Sequence, residues 1–195
     1  PYYQYHVFTV QMCGGKPVTP KLGPPPAWKF DADAVQESIT KRTKAIIINT
    51  PSNPSGKVSS LPELKVLRDI CVDHDLFCLT DEIYEYFVYD GRRHVSPAAV
   101  PGLADRTITI SGFSKTLSVT GWRVGYSVCR PCWAEMIGYM NDLVYVCAPA
   151  PLQSGVAAGI RQLAPEFYRS LAAEYQGKRD RICEALRQAG LPPSV

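Results

Sequence analysis

Lys115 closes the run Ser111-Gly112-Phe113-Ser114-Lys115, and Arg123 follows eight residues later in Gly121-Trp122-Arg123. A lysine that leaves a buried strand and is partly removed from water has its amine pKa lowered toward the range in which it attacks a carbonyl, which suits a Schiff base. Arg123 brings a permanent cation with a planar fork fitted to phosphate, and Ser111 and Ser114 add hydroxyl donors. A carbonyl-seeking amine beside a phosphate clamp describes a site for pyridoxal phosphate. Asp81, in Asp81-Glu82-Ile83-Tyr84, can keep a pyridinium nitrogen protonated and so make the ring an electron sink. Tyr84, together with Asn53 in Asn49-Thr50-Pro51-Ser52-Asn53-Pro54-Ser55-Gly56, can hydrogen-bond the ring oxygen. Taken singly each residue also has an ordinary role: a surface lysine, a helix cap, a turn former, an ion-pair partner. Their joint presence is what points to a coenzyme.

The three clusters each follow the C-terminal end of an expected strand, the edge at which open α/β sheets bind ligands. Ala45 to Asn49 is a β-branched run of the kind buried in a parallel sheet, and short apolar strands are expected at 76–80, 107–110 and 124–129. Residues 6–12 alternate as a further strand, Gly14-Gly15 turn the chain, and a proline-rich connection covers 17–26. Asp31 or Asp33 caps a short helix running to about residue 40. Ser60-Leu61-Pro62-Glu63 is a capping box, followed by Leu64, Leu67, Ile70 and Cys71 at helical spacing up to His74. Helices are also expected from Trp133, over 152–163, and over 166–189 with Gly190 as a stop and Pro192-Pro193 beyond. The Met136/Met140 face of the first of these reads as core or subunit interface. The order implies an α/β sheet with crossovers.

Composition narrows the classes. The 195 residues suffice for one domain, and 46% hydrophobic with 20% charged residues argues against disorder and fibrous repeats. The net charge of +3 is spread along the chain, so neither nucleic acid nor an anionic membrane is indicated as a partner. No apolar stretch approaches the roughly 18 residues of a membrane span. There is no GxGxxG, and Gly56-Lys57 lacks the glycine spacing of a P-loop. Cys129 and Cys132 have the two-residue gap of zinc and redox sites, without further ligands at matching spacing, so no metal site is assigned. Seven cysteines, mostly within apolar patterns, read as unpaired buried thiols and place the chain in the cytoplasm. The opening Pro1-Tyr2-Tyr3 has neither an initiator Met nor signal-peptide features, so the chain is expected to be the middle of something longer.

In order and spacing these motifs resemble the class I/II aminotransferases, fold type I pyridoxal-phosphate enzymes. NTPSNPSGKV is similar to that family's asparagine-proline loop, DEIYEYFVYDG to its aspartate-tyrosine strand end, and SGFSKTLSVTGWRVGY to its lysine segment. The resemblance implies that Lys115 carries the coenzyme as an aldimine, Asp81 meets the pyridine nitrogen, Tyr84 and Asn53 meet the ring oxygen, and Arg123 holds the phosphate. It also implies a cis peptide at Pro54 and, from PYY followed by Gly14-Gly15, Tyr3 as the aromatic that stacks on the coenzyme ring. One departure concerns the phosphate-binding serine, which some members carry three residues before the lysine. This chain has Gly112 there and Ser111 one step earlier.

The fold so implied is a three-layer αβα large domain with a mostly parallel sheet: residues 1–163 a partial coenzyme-binding domain, 164–195 a helix leading toward a small domain. The family's phosphate loop, the arginine for the substrate carboxylate and most of the small domain would lie outside the chain, which would hold about half an enzyme. The implied activity moves an amino group between an L-amino acid and a 2-oxo acid in a homodimer, with Lys115, Asp81 and Tyr84 catalytic. The alternatives are a β-lyase of the same fold and a non-catalytic effector-binding domain of a transcription regulator.

Overall fold

In the computed structural model, which describes all residues except Pro26, Pro192, Ser194 and Val195, four strands form one sheet. Strands β1 (Ala45–Asn49), β2 (Phe77–Asp81), β3 (Thr107–Gly112) and β4 (Gly125–Val128) lie side by side in chain order. β1, β2 and β3 are mutually parallel and β4 is antiparallel to β3. The register places Asn49 beside Asp81 and Asp81 beside Ile110, so the C-terminal ends of three strands come level at one edge. This is the mostly parallel α/β sheet that the run of short apolar segments implies.

The crossover from β1 to β2 is helix α3 (Leu61–Asp73), started by the expected capping box: Ser60 Oγ accepts from the Glu63 N–H while the Glu63 carboxylate accepts from the Ser60 N–H. Its apolar stripe packs on one face of the sheet. Leu64, Leu67 and Cys71 meet Leu76, Cys78, Val100 and Leu103, all at most 2% exposed. Removing seven such side chains from water supplies the driving force for this layer, at about 25 cal/mol per Å² of apolar surface. The opposite face, which carries Asn49 and Asp81, receives Trp133 edge-on against Phe77 at 4.9 Å between ring centres, and leaves Ile47 and Ile110 exposed.

The remaining helices are α1 (Gln4–Met12), α2 (Ala32–Ser38), α4 (Pro131–Val144), α5 (Ala150–Gln162) and α6 (Pro165–Gln188). The Asp31 cap of α2 is present, its carboxylate accepting the Ala34 N–H. Gly190 ends α6 in the left-handed region at φ 74°, as a C-terminal stop requires. Of the two prolines expected beyond it, Pro192 lies outside the described residues, as does Pro26 at the end of the proline-rich connection.

Three expectations need correction. The stretch 6–12 is helical, not a strand: Cys13 N–H bonds to the Thr9 carbonyl, and none of the helix's residues is buried. With apolar side chains on every side the period carries little information, and among the described residues no strand pairs with the segment, so its backbone groups are satisfied within the helix. Of the two roles expected for the Met136/Met140 face of α4, core and subunit interface, the first is excluded, since both side chains are exposed and the helix buries no residue. Only Cys71, Cys78 and Cys183 of the seven free cysteines are buried, because Cys13 caps a helix without a buried face and Cys132 sits in α4.

Candidate active site

At the end of β1 the side chain of Asn49 joins two of the clusters. Its Nδ2 donates to the Asp81 carbonyl at 3.0 Å, and its Oδ1 accepts the Asn53 N–H at 2.7 Å. Thr50, fully buried, donates its N–H to the same Asp81 carbonyl and accepts the Ser59 N–H on its hydroxyl. The loop between is closed by the Ser52 N–H to the Lys57 carbonyl, with Gly56 at φ 70° where a side chain would be strained. The Thr50-Pro51 and Asn53-Pro54 peptides are both cis, the second as the resemblance implies. The sequence thus places the partly buried Asn53 beside the end of β2.

Asp81 ends β2 with its side chain 21% exposed. One carboxylate oxygen accepts the Ile83 N–H at 3.2 Å and the other lies 3.0 Å from His6 Nε2. The turn that follows carries Tyr84, and the Lys115 amine lies over the Tyr84 ring, 5.9 Å from its centre. Lys115 and Arg123 share the connection between β3 and β4. That connection is pinched at its base, where Gly112 pairs with Gly125 and the Phe113 N–H reaches the Val124 carbonyl. A Cβ on Gly112 would come within 3.1 Å of the Gly125 Cα and 3.2 Å of the Val124 carbonyl oxygen. A glycine at this position accommodates the close approach of the two strands. Arg123 is exposed, left-handed at φ 53°, and turned back by an N–H to the Thr120 carbonyl.

The structure therefore brings Asp81, Tyr84, Asn53 and Lys115 to one edge of the sheet, with Arg123 on the same connection as the lysine. Tyr3 joins them through His6: it caps α1 and packs its ring edge against the imidazole at 5.4 Å, and both residues line an open groove of about 1370 Å³ that also includes Asn49. Ser111 stands at the same end of β3, but its side chain turns to the other face of the sheet. Its hydroxyl is buried on the α3 face, 3.3 Å from the Glu82 carbonyl and 3.3 Å from Glu85 Oε1. Burial pushes the Glu85 carboxyl above its ordinary range, with a hydrogen bond from Tyr126 opposing.

Two residues of the constellation escape the sequence reading, His6 and Asn49. Reading 6–12 as a strand hid the first, whereas a helix starting at Tyr3 places His6 one turn on, beside the tyrosine. Among the described residues no group of three or more His, Cys, Asp or Glu side chains is placed to hold a metal ion, and no helix is long and apolar enough to cross a membrane.

A lysine, a carboxylate, a phenol and an arginine stand at or just beyond the carboxyl ends of parallel strands, the edge at which open α/β sheets bind ligands, and comparison with known proteins gives the class. The family model for aminotransferase class I and II matches residues 1–194, and the chain belongs to that family. It is 39% identical over its whole length to mouse kynurenine–oxoglutarate transaminase 3, of which it spans 46%. It is 35% identical to aromatic-amino-acid aminotransferase 2 of Thermococcus litoralis, with 98% of the chain and 50% of that protein covered. The structure superposes on N-succinyldiaminopimelate aminotransferase from Mycobacterium tuberculosis with a TM-score of 0.93 at 33% identity, covering 97% of this chain and 50% of the other. The chain thus spans about half the length of the relatives it matches.

Proposed function

We propose that the protein is a pyridoxal 5′-phosphate-dependent aminotransferase that moves an amino group between an L-amino acid and a 2-oxo acid. The observation that carries this reading is the Lys115 amine over the Tyr84 ring, on the turn that opens with Asp81. The donor set fits the coenzyme: an amine for its carbonyl carbon, a guanidinium for its phosphate, a phenol and an amide for its ring oxygen, a carboxylate for its ring nitrogen. Lys115, Arg123, Tyr84, Asn53 and Asp81 would hold it, with Tyr3 against the ring. When bound, the coenzyme supplies an electron sink that stabilises negative charge at the substrate α-carbon. Asp81, held by His6 and the Ile83 N–H, would offer its carboxylate to the ring nitrogen. Lys115 Nζ, freed once the substrate amine has replaced it on the coenzyme's carbonyl carbon, would take the proton from the substrate α-carbon and deliver it to that carbonyl carbon, the work of a positioned general base. Ser111, buried against Glu85, lies outside this set.

The relatives' names support an aromatic or kynurenine-like donor with 2-oxoglutarate as acceptor. The exposed apolar side chains of α4, among them Met136, Tyr139, Met140 and Leu143, support a homodimer, and the free cysteines support the cytoplasm. Borohydride reduction of the coenzyme-loaded protein followed by peptide mapping tests the site: the pyridoxyl group is expected on Lys115, and a label on Lys57 or Lys178 overturns it. Product analysis with kynurenine, aromatic and other amino acids plus 2-oxoglutarate tests the activity. Glutamate formation is expected, and ammonia with pyruvate from cysteine conjugates overturns transamination in favour of a β-lyase.

A further inference from the structure

The carboxylate next in sequence to Asp81 takes no part in the chemistry above, yet Glu82 is only 3% exposed. Alternation along the strand sends it to the α3 side of the sheet while Asp81 faces the site. Its Oε1 accepts from Ser96 Oγ at 2.8 Å, Thr80 Oγ1 at 3.0 Å and Thr109 Oγ1 at 3.4 Å. Its Oε2 lies 2.5 Å from His94 Nε2. The main chain is held as well, with the Glu82 N–H on the Ile110 carbonyl at 2.8 Å and the Glu85 N–H on the Glu82 carbonyl at 2.9 Å. A buried carboxylate is costly unless donors surround it, and here donors from β2, β3 and the 94–96 segment converge on one group. Among the described residues the buried His94 Nδ1 has no hydrogen-bond partner, so the tie to Glu82 is the one hydrogen bond of the ring within them.

We propose that Glu82 and His94 form a clasp that positions Asp81 and Tyr84 for the coenzyme, through the turn it closes and without touching the coenzyme. The proposal rests on the aminotransferase reading above. The pair joins the two ends of a loop whose first residues are Ile83 and Tyr84. The tip of that loop is held separately, where the two terminal guanidinium nitrogens of Arg179 reach the Asp90 carboxylate at 2.6 and 2.8 Å. The tip is therefore tied to α6 and the base to the core, and the base is the end next to the coenzyme contacts. An apolar side chain could fill the volume of Glu82, but it would set no direction. Directional hydrogen bonds from several segments allow one orientation of the carboxylate, and with the peptide bonded to Ile110 they determine how Asp81 leaves the strand.

The variants that test this are Glu82→Gln, which keeps the shape and removes the charge, and His94→Gln, which keeps a donor within reach of Glu82, with His94→Ala for contrast. Four quantities are to be measured: coenzyme affinity by tryptophan fluorescence, the visible absorption maximum of the bound coenzyme, kcat against KM for the amino donor, and amide hydrogen exchange over residues 83–93 in the coenzyme-free protein. Glu82→Gln is expected to weaken coenzyme binding roughly 10-fold, about the worth of one charge-assisted hydrogen bond. It should also shift the absorption maximum, lower kcat with KM for the donor unchanged, and speed exchange over 83–93. His94→Gln should recover most of what His94→Ala loses. A lower melting temperature with parental coenzyme affinity, spectrum and kcat would overturn the clasp and leave the aminotransferase reading standing. Failure of the unaltered protein to bind coenzyme overturns that reading, and the clasp with it.

Discussion

Asp81 and Glu82 are neighbours, each paired with an imidazole, and they do opposite work. The Asp81 side chain is 21% exposed at the edge of the sheet, where its partner His6 is 26% exposed and stands on a surface helix. The Glu82 side chain is 3% exposed and its partner His94 10%, with three hydroxyls crowded onto the same carboxylate. The same pair of chemical groups is thus open to a ligand on one face of the strand and sealed on the other. Burial and the number of fixed donors decide which carboxylate can take a new partner: Asp81, part-exposed with two partners, can accept a further donor, whereas Glu82 is already committed.

Substitutions on the two faces should therefore separate. The largest effect is expected from Asp81→Asn, which should lower kcat by roughly 10- to 1000-fold, the equivalent of the 1 to 3 pKa units by which a facing carboxylate favours a protonated ring nitrogen. Coenzyme affinity and melting temperature should move far less; an unchanged kcat would erase the distinction between the two faces. His6→Asn should act in the same direction and more weakly, roughly 10-fold or less, because Asp81 keeps the Ile83 N–H as a second partner. Steady-state kinetics at saturating coenzyme would check it, and an effect on stability alone would place His6 with the buried set.

Glu63 extends the comparison to a carboxylate whose partner is a lysine. Burial raises its pKa, but the Lys57 ammonium, the Phe30 and Ser60 N–H groups and the Ser60 hydroxyl outweigh that and bring it to about 2. A carboxyl depressed on folding contributes stability that is present above its unfolded value near 4.5 and lost as pH falls toward 2. The melting temperature should accordingly fall across that window, and Glu63→Gln should flatten the profile by lowering the neutral end. Parallel profiles for parent and variant would remove Glu63 from the acid response. Being partly solvated, it should give the smallest of the three effects.

Much of the candidate site was legible because it is local. The spacing of Lys115 and Arg123, the strand end at Asp81 and the proline turn after Asn49 are short-range patterns, and each lies where the chain leaves the sheet. The Ser60/Glu63 capping box was readable for the same reason, since both partners sit within one helical turn. Residues 6–12 were misread because seven residues without a polar face fit a strand and a helix equally well. His6 disappeared with that reading, since its partner Asp81 lies 75 positions away.

By itself the sequence determined which residue types stand at the strand ends, where α3 begins, and that Gly190 stops the last helix, because propensity, capping and backbone sterics act over a few residues. Only the tertiary structure decided that Ser111 turns toward Glu85, that Gly112 is crowded by Gly125, and that α4 leaves Met136 and Met140 in solvent. Each of these depends on which strand lies alongside or which helix packs above, contacts between residues far apart in the chain. Sheet pairing settled the matter for Asp81 and Glu82 most plainly. A strand sends successive side chains to opposite faces, but nothing in the two letters says which face will be covered by α3 and which will be left for a ligand.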